Sequence, residues 1–191
     1  REALHFSTPG NYAGQISSSA FIPAEAEIAH NWIFLAGLDV LTDSRVGTVV
    51  AFGDSITDGS GNTNDATNTT LSADTGKDLR YPNFLARRLQ AAGIPLSVSN
   101  AGIAGNRLLS DGWVPQFGIK ALDRYPQDVL AVSGVRSVIV MIGTNDFGFD
   151  LTLTSAQLQQ GMTQLINALH AANLRVIVGT LPPADGANPA Q

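Results

Sequence analysis

The chain has no cysteine among its 191 residues. That excludes disulfides, thiolate nucleophiles and thiolate metal ligands together, and it leaves the redox compartment undecided. Charge is scarce as well: Asp, Glu, Lys and Arg make up 14% of the residues, against about 25% in an ordinary globular domain. With 44% hydrophobic residues the composition suits a buried core, and the length suits one domain. Basic residues number 11 against 16 acidic ones, a net charge of -5. A phosphate backbone or an anionic membrane surface needs a basic footprint, so neither nucleic acid nor polybasic membrane attachment is expected. No apolar run approaches the roughly 18 residues of a membrane span. The longest, near Val46 to Phe52, has the length of a strand.

What is present is an alternation. Residues 1–43 stand apart as a β-rich lead-in, or the tail of a preceding all-β unit. They contain a turn signal at Pro9-Gly10-Asn11-Tyr12, a polar loop at Ser17-Ser18-Ser19, and a strand-like aromatic run from Asn31 to Val40. From residue 44 to residue 191 strands alternate with helices. Val46 to Phe52 is continuously apolar, as a strand covered on both faces would be. A helix is expected from about Pro82 to Gly93, then a short strand from Leu96 to Ser99. A helix-rich stretch follows from about Gly118 to Val132, interrupted near Pro126, which lacks an N–H to donate. Val135 to Ile142 reads as a third strand. Thr154-Ser155-Ala156-Gln157 is a capping box opening a helix whose Leu158, Met162, Leu165, Ile166 and Leu169 share one face. Leu174 to Thr180 reads as a fourth strand. Such alternation implies a mainly parallel sheet with helices on both faces, a three-layer α/β/α sandwich. The long polar segment between Asp54 and Lys77 exceeds ordinary loop length, which is common for functional or mobile loops.

In an open parallel sheet, ligands bind just beyond the carboxyl ends of the strands. After the first strand comes Gly53-Asp54-Ser55-Ile56-Thr57-Asp58-Gly59. After the second comes Asn100-Ala101-Gly102-Ile103-Ala104-Gly105-Asn106, and after the third Gly143-Thr144-Asn145-Asp146. Ser55 supplies a hydroxyl at a tight strand exit. Backbone N–H groups near Ser55 and Gly105, with the Asn145 amide, are suited to receive a developing oxyanion. A lone serine at a strand exit is ordinarily a helix N-cap, and a lone asparagine an Asx-turn residue. Three such loops after three successive strands favour the catalytic reading. Asp54 and Asp58 fit structural hydrogen bonding better than catalysis. With Asp65, Asp74 and Asp78 they do not match calcium-loop spacing, and no glycine pattern of a nucleotide-binding loop occurs. Trp32 and Trp113 are candidates for the core, with Trp113 alternatively bordering the site.

These three blocks resemble the GDSL, or SGNH, hydrolases over roughly Thr48 to Thr180. The resemblance implies a flavodoxin-like α/β/α fold and a serine ester hydrolase acting on an acyl or acetyl ester. It implies Ser55 as nucleophile, with the N–H groups of Ser55 and Gly105 and the Asn145 amide as oxyanion hole. Gly102 is a second candidate for the glycine, although Ile103-Ala104-Gly105-Asn106 aligns better with the family's block. No metal or organic cofactor is called for, and the partner is a small-molecule or carbohydrate ester. Relatives with an aromatic lead-in are often exported, so an extracytoplasmic location fits the resemblance.

The family's catalytic histidine and aspartate lie in an Asp-x-x-His motif, and none occurs here. The histidines are His5, His30 and His170. Two precede the sheet, and the third falls late in a helix, away from the strand ends. The chain also closes in a Pro-Pro-Ala-Asp-Gly-Ala-Asn-Pro run that reads as a loop leaving a strand. The expectation is therefore an excerpt of a longer chain, with the base beyond Gln191. Two other readings remain: a non-catalytic carbohydrate- or ligand-binding module on the same fold, and a flavodoxin-like ligand-binding domain.

Overall fold

The computed structural model describes residues 5–7, 21–23, 37–43, 45–60 and 78–181. The chain divides into two units, Arg1–Val40 with Gly59–Leu79, and Leu41–Asp58 with Arg80–Gln191. In the first, β1 (His5–Ser7) pairs antiparallel with β2 (Phe21–Pro23), placing His5 opposite Pro23. The strand expected over Asn31 to Val40 does not form at residues 37–40, which have no regular structure. Gly37 and Asp39 are poor strand formers, and no ladder partner runs beside them among the described residues. Residues 31–36, with Trp32, lie outside the described residues, as do the turn at Pro9 and the serine loop.

The second unit is built on a parallel sheet. Its strands are β3 (Gly47–Gly53), β4 (Leu96–Gly102), β5 (Val135–Met141) and β6 (Arg175–Val178), in the order β4-β3-β5-β6. All three ladders are parallel. The central strand β3 is buried along its whole length, which explains why its sequence is apolar without alternation. Helix α1 (Ser55–Asp58) and helix α2 (Tyr81–Ala91) lie between β3 and β4. Helix α3 (Ala121–Tyr125) follows β4, and α4 (Thr144–Phe149) and α5 (Ser155–Ala171) join β5 to β6.

Val50 and Phe52 of β3 share a buried cluster with Val138 and Val140 of β5, Leu158, Leu165 and Leu169 of α5, and Ala121 of α3. Strand alternation sends Val49 and Ala51 to the opposite face, and both are buried too. Helix α2 packs on β4. The sheet is thus covered on both sides, the α/β sandwich its sequence implies. Helix α5 starts as its capping box requires: Thr154 Oγ1 accepts the Gln157 N–H at 3.3 Å, and Gln157 Oε1 accepts the Thr154 N–H at 2.9 Å. The helix-rich stretch before β5 is shorter than expected. Lacking an N–H, Pro126 ends α3, and the chain continues as a π-helical turn over Pro126–Leu130. Strand β4 is longer than expected, reaching Gly102 because the full ladder with β3 extends to Gly53.

Candidate active site

The register of the ladders sets the site. Gly53 of β3 stands opposite Gly102 of β4 and Met141 of β5, so three strands end level and their loops leave side by side. At the first exit Asp54 caps α1: its Oδ1 accepts the Ile56 N–H at 3.0 Å, and its carbonyl accepts those of Thr57 and Asp58. The Asp54 N–H is itself pinned to the Met141 carbonyl at 3.3 Å. Ser55 therefore sits as the first helical residue, half-buried, where a helix leaves its N–H groups without intrahelical acceptors. Burial pushes the Asp54 carboxyl above its ordinary range, against the Ile56 N–H and the Arg124 charge.

The two candidate glycines have different surroundings. Gly102 lies where the backbone of α1 meets β4; a Cβ there would stand 2.2 Å from the Asp58 nitrogen. Its N–H is already donated to Asn100 Oδ1 at 2.9 Å, while Asn100 Nδ2 donates to the Thr57 carbonyl. Gly105 lies beyond the strand in a left-handed conformation, φ 76°, and a Cβ there would run into the Phe117 ring. Among the described residues, neither the Gly105 N–H nor the Ser55 N–H has an acceptor.

The next loop is held by Asn106 and Asp146, to which the sequence assigned no separate role, and by Arg124. Asn106 is fully buried and satisfied on every side. Its Nδ2 donates to the Phe117 and Ile119 carbonyls, both at 2.8 Å, and its Oδ1 accepts from Arg124 Nε at 2.9 Å. Its carbonyl accepts the Asn145 Nδ2 at 2.9 Å, which orients the Asn145 amide and leaves that nitrogen a second hydrogen. Arg124, itself buried, reaches the Gly53 carbonyl with Nη2 and the Ala101 carbonyl and Asp128 carboxylate with Nη1. Its guanidinium lies 4.1 Å over the Phe52 ring. One side chain on α3 thus ties the ends of β3 and β4 to the second loop. Asp146 does the same for the third: its carboxylate accepts the Leu108 and Leu109 N–H groups at 2.8 and 2.9 Å. Burial raises its pKa against those two bonds and the Arg107 charge. Asn106 and Asp146 belong to the recognised blocks, but Arg124 lies in no motif.

A small cavity opens beside the serine, lined by Asp54, Ile56, Met141, Ile142, Thr144 and the segment from Gly179 to Leu181. Trp113 is not a core residue: it is 59% exposed and borders the second loop. Among the described residues no side chain hydrogen-bonds the Ser55 hydroxyl. His170 is exposed in the last turn of α5, next to the start of β6 and so at the opposite end of the sheet. The His5 side chain, His30, Asp65 and Asp74 lie outside the described residues. No described helix is long and apolar enough to cross a membrane.

A serine, a left-handed glycine and an oriented asparagine amide thus stand on successive loops at one level edge of an α/β sandwich. Residues 51–191 match the GDSL-like lipase/acylhydrolase family model, and the chain belongs to that family. Among solved structures it is similar to AlinE4, an SGNH-hydrolase family esterase, at 22% identity and TM-score 0.55, covering 76% of this chain and 64% of that one. It is also similar to Est24, a carbohydrate acetylesterase from Sinorhizobium meliloti, at 19% identity and TM-score 0.56, covering 72% and 65%. An inhibitor-bound aryl esterase of M. smegmatis aligns at 22% identity and TM-score 0.56, covering 70% and 63%. At these identities the likeness is one of fold. The chain spans less than two thirds of the length of each of these three structures. No curated protein sequence matches the chain.

Proposed function

We propose that the protein is a serine ester hydrolase acting on an acyl or acetyl ester. Ser55 Oγ attacks the ester carbonyl carbon, giving its proton to a base. The carbonyl oxygen, now an oxyanion, is held by the N–H groups of Ser55 and Gly105 and by the Asn145 amide. Collapse expels the alcohol, which takes the proton back from the base, and water then hydrolyses the acyl-serine by the same steps. The base called for is a histidine oriented by an aspartate, and among the described residues no histidine side chain lies at this edge of the sheet.

The observation that carries this reading is the donor set. Among the described residues the N–H groups of Ser55 and Gly105 have no acceptor, whereas the alternative glycine, Gly102, donates its own to Asn100. Asn106 supports it by steering the Asn145 amide. The test is Ser55→Ala in the full-length protein, assayed on p-nitrophenyl acetate and labelled with a fluorophosphonate. A loss of at least about a thousandfold in kcat/KM, with loss of the adduct, is expected. Retention of more than a few per cent of the rate refutes the assignment. A non-catalytic binding module is the second reading, favoured by the absence of a hydrogen-bonded base at Ser55 among the described residues. It predicts that the wild-type full-length protein takes no fluorophosphonate.

A further inference from the structure

Beside the second loop three aromatic rings are locked together at the surface. Phe117 and Phe149 lie nearly parallel, their planes 15° apart, and Trp113 meets them at 72° and 81° with centroids 5.2 and 4.3 Å away. Such edge-to-face contacts hold a ring in one orientation, yet Trp113 remains 59% and Phe149 42% exposed. The Arg107 guanidinium sits 5.9 Å from the centroids of both exposed rings. One of its nitrogens, Nη2, donates to the Asp111 carbonyl. Its Nε is buried without an acceptor among the described residues, and Nη1 has none there either, so a terminal nitrogen of the guanidinium retains unused donors.

The cluster is joined to the donor set at two points. The Phe117 ring occupies the space a side chain at position 105 would fill. Phe149 lies one turn along α4 from Asn145, on the same side of the helix. A single exposed tryptophan needs no explanation; a rigid aromatic shelf with an under-used guanidinium at its rim, next to an anion hole, does.

We propose that Trp113, Phe149 and Arg107 form a subsite for a neutral sugar ring, the carbohydrate portion of the ester attacked by Ser55. The proposal rests on the esterase reading for its place in the reaction, and on the shelf alone for binding. A pyranose ring presents an apolar C–H face to an indole and hydroxyl acceptors around its edge to guanidinium N–H groups. An alkyl or aryl group fits the rings but offers the guanidinium nothing, leaving donors desolvated. An anionic ligand meets carboxylates: Asp146 and Asp150 both sit in the field of Arg107, within a chain of net charge -5.

The readout is selectivity in the full-length protein: kcat/KM for acetylated xylo- and gluco-oligosaccharides divided by kcat/KM for p-nitrophenyl acetate. Trp113→Ala is expected to lower this ratio at least tenfold, and Trp113→Phe to restore most of it. An unchanged ratio overturns the subsite, and so does an equal fall on both substrates, which marks a structural role. If the wild type hydrolyses no ester, the esterase reading fails by itself and binding decides the shelf. Xylo- or cellohexaose then quenches or shifts tryptophan fluorescence in the wild type, and Trp113→Ala abolishes the response. No response from the wild type to either sugar refutes the proposal.

Discussion

Removing the Arg124 side chain tests whether one guanidinium holds the loop-bearing edge of the sheet together. In Arg124→Ala, Asn106 Oδ1 loses its donor inside a fully buried residue, with no other donor to it among the described residues. Such an orphaned acceptor costs about 1–3 kcal/mol. The Gly53 carbonyl suffers less, because it still accepts the Ile103 N–H at 3.1 Å. Asp128, whose side chain is 32% exposed, rehydrates. The contact with the Phe52 ring is lost as well, at roughly 1 kcal/mol. Relief of guanidinium desolvation offsets part of the total, so a net loss of about 3 kcal/mol is expected. For a chain of this size that lowers Tm by about 10 °C, read by circular dichroism. Arg124→Lys keeps the charge but cannot place a planar fork on four separate acceptors, so it recovers less than half of the loss. A Tm within about 2 °C of wild type for Arg124→Ala refutes the reasoning. Full rescue by lysine shows that charge matters and the fork does not.

Burial holds the Asp54 carboxyl above its ordinary value of 3.8, so the folded state binds its proton more tightly than the unfolded chain does. The resulting stability is complete below that value and is lost as pH rises through the raised pKa. Asp54→Asn retains an oxygen to accept the Ile56 N–H but cannot ionise. Its Tm should fall less than that of the wild type between pH 4 and pH 7, and parallel profiles would contradict the burial argument. Gly102→Ala places a Cβ 2.2 Å from the Asp58 nitrogen, a backbone atom that cannot step aside. It should cost about 1–3 kcal/mol by chemical denaturation; unaltered stability would mean that α1 moves freely off β4.

How much was legible from residues alone depends on how local the cause was. The continuous apolar run of β3 announced a strand covered on both faces, and the helix α5 announced itself through its Thr154–Gln157 box and its leucine spacing. The glycine-bearing loops after β3, β4 and β5 were recognisable because the chemistry of each is written in consecutive residues. The short helices α1 and α4 were not, since four and six residues hold too little of a 3.6-residue period to show one. Nor was the end of β4 at Gly102, where a ladder with β3 carries polar residues into the sheet.

The sequence by itself determined the alternation, the parallel sheet, the family, and the residues offered at each strand end. Tertiary structure alone decided how those residues face one another. Arg124 meets the Gly53 carbonyl across 71 positions of chain, and Asp146 holds Leu108 across 38. Trp113 is placed by Phe117 and by Phe149, the latter from helix α4. Contacts of that kind carry no periodicity and no motif, because they are set by which strands lie side by side and where their ladders end.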